Sequence, residues 1–152
     1  MLEIDLATQK AVVHRVLSTR GVLRALALLN DRAAYRYSGI YKLSGNAMRA
    51  VHIFDRHAEY RAWPMVLPLS RSFCQFVMQQ GERVISHAST DRRFALLPHA
   101  SLVESYYGQL LTHECGTPYG AFIHFDVETR TIAAREISFL HEVVPHFLPY
   151  LD

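Results

Sequence analysis

The sequence predicts an α+β domain: a mostly antiparallel sheet bracketed by helices at the two ends of the chain. Three observations predict it. Long helical periodicity is confined to the two ends, near residues 5–37 and 133–151. Between them lie short runs rich in β-branched and aromatic residues, punctuated by Gly and Pro. Those runs are joined mainly by tight turns, with one compact helix among them, so the order is not the alternating strand–helix pattern of a parallel sheet.

From Asp5 to about Leu17 the apolar residues Leu6, Val12, Val13, Val16 and Leu17 recur at helical spacing. Ser18-Thr19-Arg20-Gly21 interrupts them, and Ser18 or Thr19 offers an N-cap for a second stretch running to about Tyr37. Two readings stay open: a short helical arm (residues 1–20) before a domain of residues 21–152, or one long kinked helix. Ile40, Tyr41 and Leu43 make a strand, Met48 to Phe54 its partner, and Ser44-Gly45-Asn46 the turn. Asp55 to Trp63 is a polar connector. Met65 to Leu69 is extended, and Pro68 confines it to a sheet edge or a strand end.

Ser70 to Gly81 reads as a compact helix, with Ser70 or Ser72 as its cap and Gly81 as its stop. A short strand at Arg83–Ser86 follows, then a loop with short helical turns as far as Val103. Residues 105–126 form a hairpin with an irregular loop. Its outgoing strand, Ala121–Phe125, is apolar on both sides, which suits the centre of a sheet covered on both faces. The last helix runs from Ala133 to about Leu151, with Pro145 bending it.

With 152 residues, half of them hydrophobic and a fifth charged, the chain has the composition of one globular domain with a substantial core. The net charge of +2 and the spread of the 16 Lys and Arg residues speak against a nucleic-acid partner. The opening MLEIDLATQK has neither a basic n-region nor an apolar h-region, and no run approaches the roughly 20 apolar residues that span a bilayer. A cytoplasmic protein with no membrane partner is expected. Cys74 and Cys115, with no CxxC, are expected as reduced thiols. There is no Walker loop, no Gly-x-Ser-x-Gly and no HExxH. The nine histidines include no pair one helical turn apart. His87 or His99, in the irregular segment, could supply a single axial haem ligand, and the cofactor is left unknown.

From Ser72 onward the sequence resembles a GAF domain, a small-molecule-binding sensory module related to PAS domains. Ser72-Phe73-Cys74 heads a helix, and Val84-Ile85-Ser86 makes a strand. Asp91-Arg92-Arg93-Phe94 with Pro98 follows, then Ser105-Tyr106-Tyr107-Gly108 opens the penultimate strand. Gly116 to Gly120 leads into the last strand, which ends at Asp126, and Glu136 to Leu140 keeps the spacing of the closing helix. Two places depart from the pattern. Gly108-Gln109-Leu110-Leu111 stands where many relatives have Gly-Val-Pro-Leu, and Glu114-Cys115-Gly116 where many have Asp-Gly.

The resemblance implies about six antiparallel strands, terminal helices on one face, and a covered pocket on the other. It also implies a homodimer formed through the terminal helices. A pocket lined by Trp63, Phe73, Cys74, Asp91, Arg92, Phe94, Tyr107 and His124 is expected, with Arg92 placed to meet an anionic group bidentately. The function expected is non-enzymatic and sensory: an unidentified small molecule or a signalling protein binds, and the output is delivered in trans.

Free methionine-R-sulfoxide reductases share the fold, but their catalytic Cys lies just before the penultimate strand, where Leu97–Ser105 has none. The cyclic-nucleotide signature Asn-Lys-x-x-x-Phe-x-x-x-Asp-Glu is absent. So is a Cys-His pair for a covalent bilin, since Gln75 follows Cys74 and Gly116 follows Cys115. Two alternatives stay open: a small redox enzyme related to these reductases, and a pure dimerisation scaffold with a vestigial pocket.

Overall fold

The computed structural model describes residues 5–59, 65–91 and 103–152. Its strands are β1 (Tyr37–Ser44), β2 (Ala47–Asp55), β3 (Val66–Pro68), β4 (Glu82–Ile85), β5 (Ser105–Thr112) and β6 (Pro118–Asp126). They form one antiparallel sheet in the order β3-β2-β1-β6-β5-β4. β6 lies between β1 and β5 and is buried along its length beyond Pro118, as its two-sided apolar sequence requires. β3, which carries Pro68, is an edge strand.

The first helical region is two helices, α1 (Leu6–Arg20) and α2 (Val22–Asp31). Gly21 separates them at φ 92° and ψ 176°, a backbone region where any side chain would be strained. The break therefore falls at Gly21 and not at the Ser18-Thr19 cap expected from sequence. The hydroxyls of Ser18 and Thr19 both donate to the carbonyl of Arg15, inside α1. α2 ends at Asp31, short of the expected Tyr37.

The central helix also begins later than expected. It is α3 (Cys74–Gln80), stopped by Gly81 in the left-handed conformation. Ser72 does not cap it. Its hydroxyl donates instead to the Leu69 carbonyl and closes a 3-10 turn over Leu69–Arg71. The last helix changes type where a bend was expected. α4 (Ala134–Val143) passes into a 3-10 segment, Val144–Tyr150, at the point where Pro145 has no N–H to offer an α-helical bond.

The helices at both ends cover one face of the sheet. Leu17, Leu26, Leu29, Leu140 and Phe147 pack there against Ile40, Tyr107 and Phe122. α1 lies along the last helix in the same direction. Lys10 pairs with Glu142 at 2.7 Å, and one turn further on the ring of His14 meets that of His146 edge-on, with centroids 4.2 Å apart. Two buried carboxylates pin the strand ends. Asp55 holds Arg36 bidentately (2.9 and 3.1 Å), and Asp126 accepts from the Arg36 backbone N–H and from Arg130 Nε, both at 2.9 Å. Among the described residues no helix is long and apolar enough to cross a membrane.

Candidate functional site

The face of the sheet turned away from the terminal helices carries the candidate site. β1 presents Tyr37 and Tyr41 there, β5 presents Tyr106, and β6 presents Ala121, Ile123 and Phe125, each set at the two-residue period of a strand. Phe73, Cys74 and Val77 close over them from the head of α3. The approach is close because β5 has no side chain at Gly108, directly under Val77.

Within this buried apolar cluster a small polar group is held. Cys74 Sγ and the Tyr106 hydroxyl share a hydrogen bond of 3.3 Å. Burial pushes the Cys74 thiol up to about 11, against the lowering effect of its bonds to Tyr106 and Ser72. Burial, helped by the neighbouring thiol, also raises Tyr41 and Tyr106 above the ordinary tyrosine value. All three groups therefore stay protonated and uncharged at neutral pH, able to donate or accept a hydrogen bond but not to act as a thiolate or phenolate nucleophile. Phe73 tilts against Tyr106, and Tyr37 stacks on Phe125 with ring centroids 4.8 Å apart.

The structure brings only part of the expected lining together. Phe73 and Cys74 lie on this face. Tyr107 and His124 do not: both point into the layer between the sheet and the terminal helices. The reason is the pleat. Tyr106 and Tyr107 are consecutive on β5 and must point to opposite faces, and His124 lies across from Tyr107 on β6. Asp91 follows the 3-10 turn Ala88–Thr90, its N–H bonded to the Ala88 carbonyl. Trp63, Arg92 and Phe94 lie outside the described residues, as does His99. Tyr37 and Tyr41 of β1 are on this face in addition to the expected residues. Their spacing of four on one strand is the signal that places both with Tyr106.

The two displaced residues have structural roles. His124 Nδ1 and the Ser38 hydroxyl share a hydrogen bond of 2.6 Å, and Asn30 donates to the same hydroxyl at 2.8 Å and to the Tyr35 carbonyl at 3.0 Å. Arg56 in turn donates to the side chain and carbonyl of Asn30. This chain ties the end of α2 to β1 and β6. Complete burial, with a smaller contribution from Arg56, lowers His124 to about 3, so it is neutral. Tyr107 donates to Gln109 at 3.0 Å, and Gln109 donates to the Leu140 carbonyl of α4.

Cys115 is exposed in the loop between β5 and β6, where its bond to Thr117 lowers its pKa. Cys74 touches Tyr106 at the start of β5, and Cys115 lies in the loop beyond its last residue, Thr112, a separation along the strand of roughly 20 Å that no disulfide spans. His87 is exposed and bonds Thr129. Among the described residues no group of three or more His, Cys, Asp or Glu could hold a metal ion.

This architecture is that of a GAF domain. The chain superimposes on the GAF domain of the Acinetobacter phosphoenolpyruvate-protein phosphotransferase with a TM-score of 0.76 at 13% identity, covering 98% of this chain and 94% of that one. It is similar to the phycoerythrobilin-bound GAF domain of a cyanobacterial phytochrome (TM-score 0.75, 11% identity, 98% and 95% covered). It is also similar to the free methionine-R-sulfoxide reductase of Neisseria meningitidis in complex with its substrate (TM-score 0.70, 14% identity, 95% and 86% covered). No family sequence model and no curated protein sequence matches the chain. The shared property is the fold: GAF-fold proteins include both sensors and reductases.

Proposed function

We propose that the chain is a non-enzymatic regulatory GAF domain that binds a small molecule against the Tyr37–Tyr41–Tyr106 face. In this reading it is cytoplasmic, joins a second copy through its terminal helices, and passes the bound state to a signalling partner in trans. The observation that carries the reading is the protonated group of Tyr41, Cys74 and Tyr106 within the buried apolar cluster between α3 and the sheet. Apolar walls with a few oriented hydrogen-bonding groups are what small-molecule recognition needs. The bilin-bound neighbours lend the reading support from proteins of the same fold.

Sulfoxide reduction is the enzyme alternative on this fold. It requires a reactive thiolate and a second thiol in reach. Cys74 is buried with a raised pKa, and Cys115 stands at the far end of β5.

A thermal-shift screen with cyclic nucleotides, amino acids, haem and a linear tetrapyrrole tests the proposal. One class is expected to raise the melting temperature, and Tyr106→Phe to reduce that rise. No rise with any compound overturns the ligand reading. Turnover of free methionine-R-sulfoxide that disappears in Cys74→Ala replaces it with the reductase reading. The dimer is tested at Val12 and Leu23, apolar side chains exposed on α1 and α2. Val12→Glu with Leu23→Glu is expected to give monomers in sedimentation, and a wild-type monomer overturns the dimer.

A further inference from the structure

The bend at Gly21 gathers three arginines around one concave surface. Arg15 and Arg20 come from α1 and Arg24 from the first turn of α2, and with Val16 and Thr19 they line a concavity of about 800 Å³. All three arginines are exposed. None has a carboxylate partner among the described residues. The local sequence explains why: α1 contains no Asp or Glu, and the one acid of α2, Asp31, stands at its far end.

The contrast with the rest of the helix layer is informative. Lys10, on the same helix, is paired with Glu142, and Arg32 is paired with Glu136. Arg36 and Arg130 hold Asp55 and Asp126. Among the described residues, the three guanidinium groups at the bend stand together with no acid paired to them. Like charges brought this close repel, and an anion relieves the repulsion. Guanidinium forks match the oxygen geometry of phosphate, and three of them exceed the charge of any single carboxylate.

We propose that this concavity is a binding site for a multiply charged phosphate anion, separate from the sheet face and on the opposite side of the sheet. An anion held between Arg20 and Arg24 ties α1 to α2 across Gly21, the one bend between them. The phosphate groups can be those of a soluble oligophosphate or the headgroups of an anionic lipid surface.

Titration calorimetry with tripolyphosphate, and co-sedimentation with vesicles of phosphatidylserine in phosphatidylcholine, test the proposal at about 50 mM salt, where screening is modest. Tripolyphosphate is expected to bind with a Kd below about 1 mM, and Arg20→Gln with Arg24→Gln to weaken it at least about tenfold. Arg49→Gln, which removes one positive charge from the exposed side of β2, is expected to leave binding unchanged. Co-sedimentation that needs Arg20 and Arg24, without tripolyphosphate binding, assigns the site to lipid headgroups. Binding to neither probe overturns the proposal, as does binding that survives the double substitution in protein whose circular dichroism is unaltered. Both failures leave the ligand reading of the sheet face untouched.

Discussion

A β-carbon placed on Gly108 would lie 2.5 Å from Cγ2 of Val77 and 2.7 Å from the Tyr106 ring. α3 therefore rests on the sheet only because β5 has no side chain there. Gly108→Ala is expected to cost about 1 to 3 kcal/mol, the usual range for overpacking a core. Val77→Ala in the same chain should restore part of the loss, measured by urea unfolding. An alanine variant as stable as wild type would show that α3 is free to lift.

The two thiols should differ sharply in reactivity. Cys115 is exposed with a lowered pKa, while Cys74 is buried with its pKa raised to about 11. An aromatic disulfide reagent at pH 7.5 is expected to titrate one thiol per chain quickly and the second only after denaturant is added. Cys115→Ser should abolish the fast phase. Two fast thiols would contradict the buried Cys74–Tyr106 contact.

His124 links stability to acid. Its folded pKa of about 3 lies below the unfolded value of about 6.5. Between those two values the unfolded chain binds the proton and the folded one does not. The stability that His124 confers is complete above pH 6.5 and is lost as pH falls toward 3, at up to about 1.4 kcal/mol per unit. Asn can stand in for Nδ1 toward Ser38 but cannot titrate. His124→Asn should therefore give a flatter profile over this range, the two curves converging as pH falls. Parallel curves would show that His124 is hydrated in the folded chain.

Asp55 is fully buried and holds Arg36 with two bonds. Asp55→Asn leaves the guanidinium in place with one of its three carboxylate-oxygen acceptors gone, and Glu59, more exposed, is the remaining acid. A loss of about 3 kcal/mol is expected, the lower end for a broken buried pair. Asp55→Asn combined with Arg36→Met should be less destabilised than Asp55→Asn alone. The comparison is made by thermal unfolding at pH 7.

Much of this fold is legible in the residues. The two-sided apolarity of Ala121–Phe125 places β6 in the sheet interior, Pro68 marks an edge strand, and Gly81 marks where α3 stops. The site is less so. Aromatic and polar character marks Tyr107 and His124 as lining residues, but the pleat sends neighbours on a strand to opposite faces and turns both toward the terminal helices. Ser18, Thr19 and Ser72 have the chemistry of N-caps but spend their hydroxyls on carbonyls three or four residues back. Capping chemistry is local, and which backbone group a hydroxyl meets depends on where the helix has already begun. His14 and His146 meet only through tertiary packing, so no spacing rule could pair them. The grouping of Arg15, Arg20 and Arg24 likewise depends on the angle at Gly21.

The common direction of α1 and the last helix has a mechanical consequence. The contacts Lys10–Glu142 and His14–His146 advance together along both helices, so the chain enters the layer at one end and leaves it at the other. Tension between the two ends loads these contacts all at once, in shear, and does not peel them apart one by one. Seized by its ends, the domain should resist as a rod does, transmitting a pull or a twist along its length before it yields.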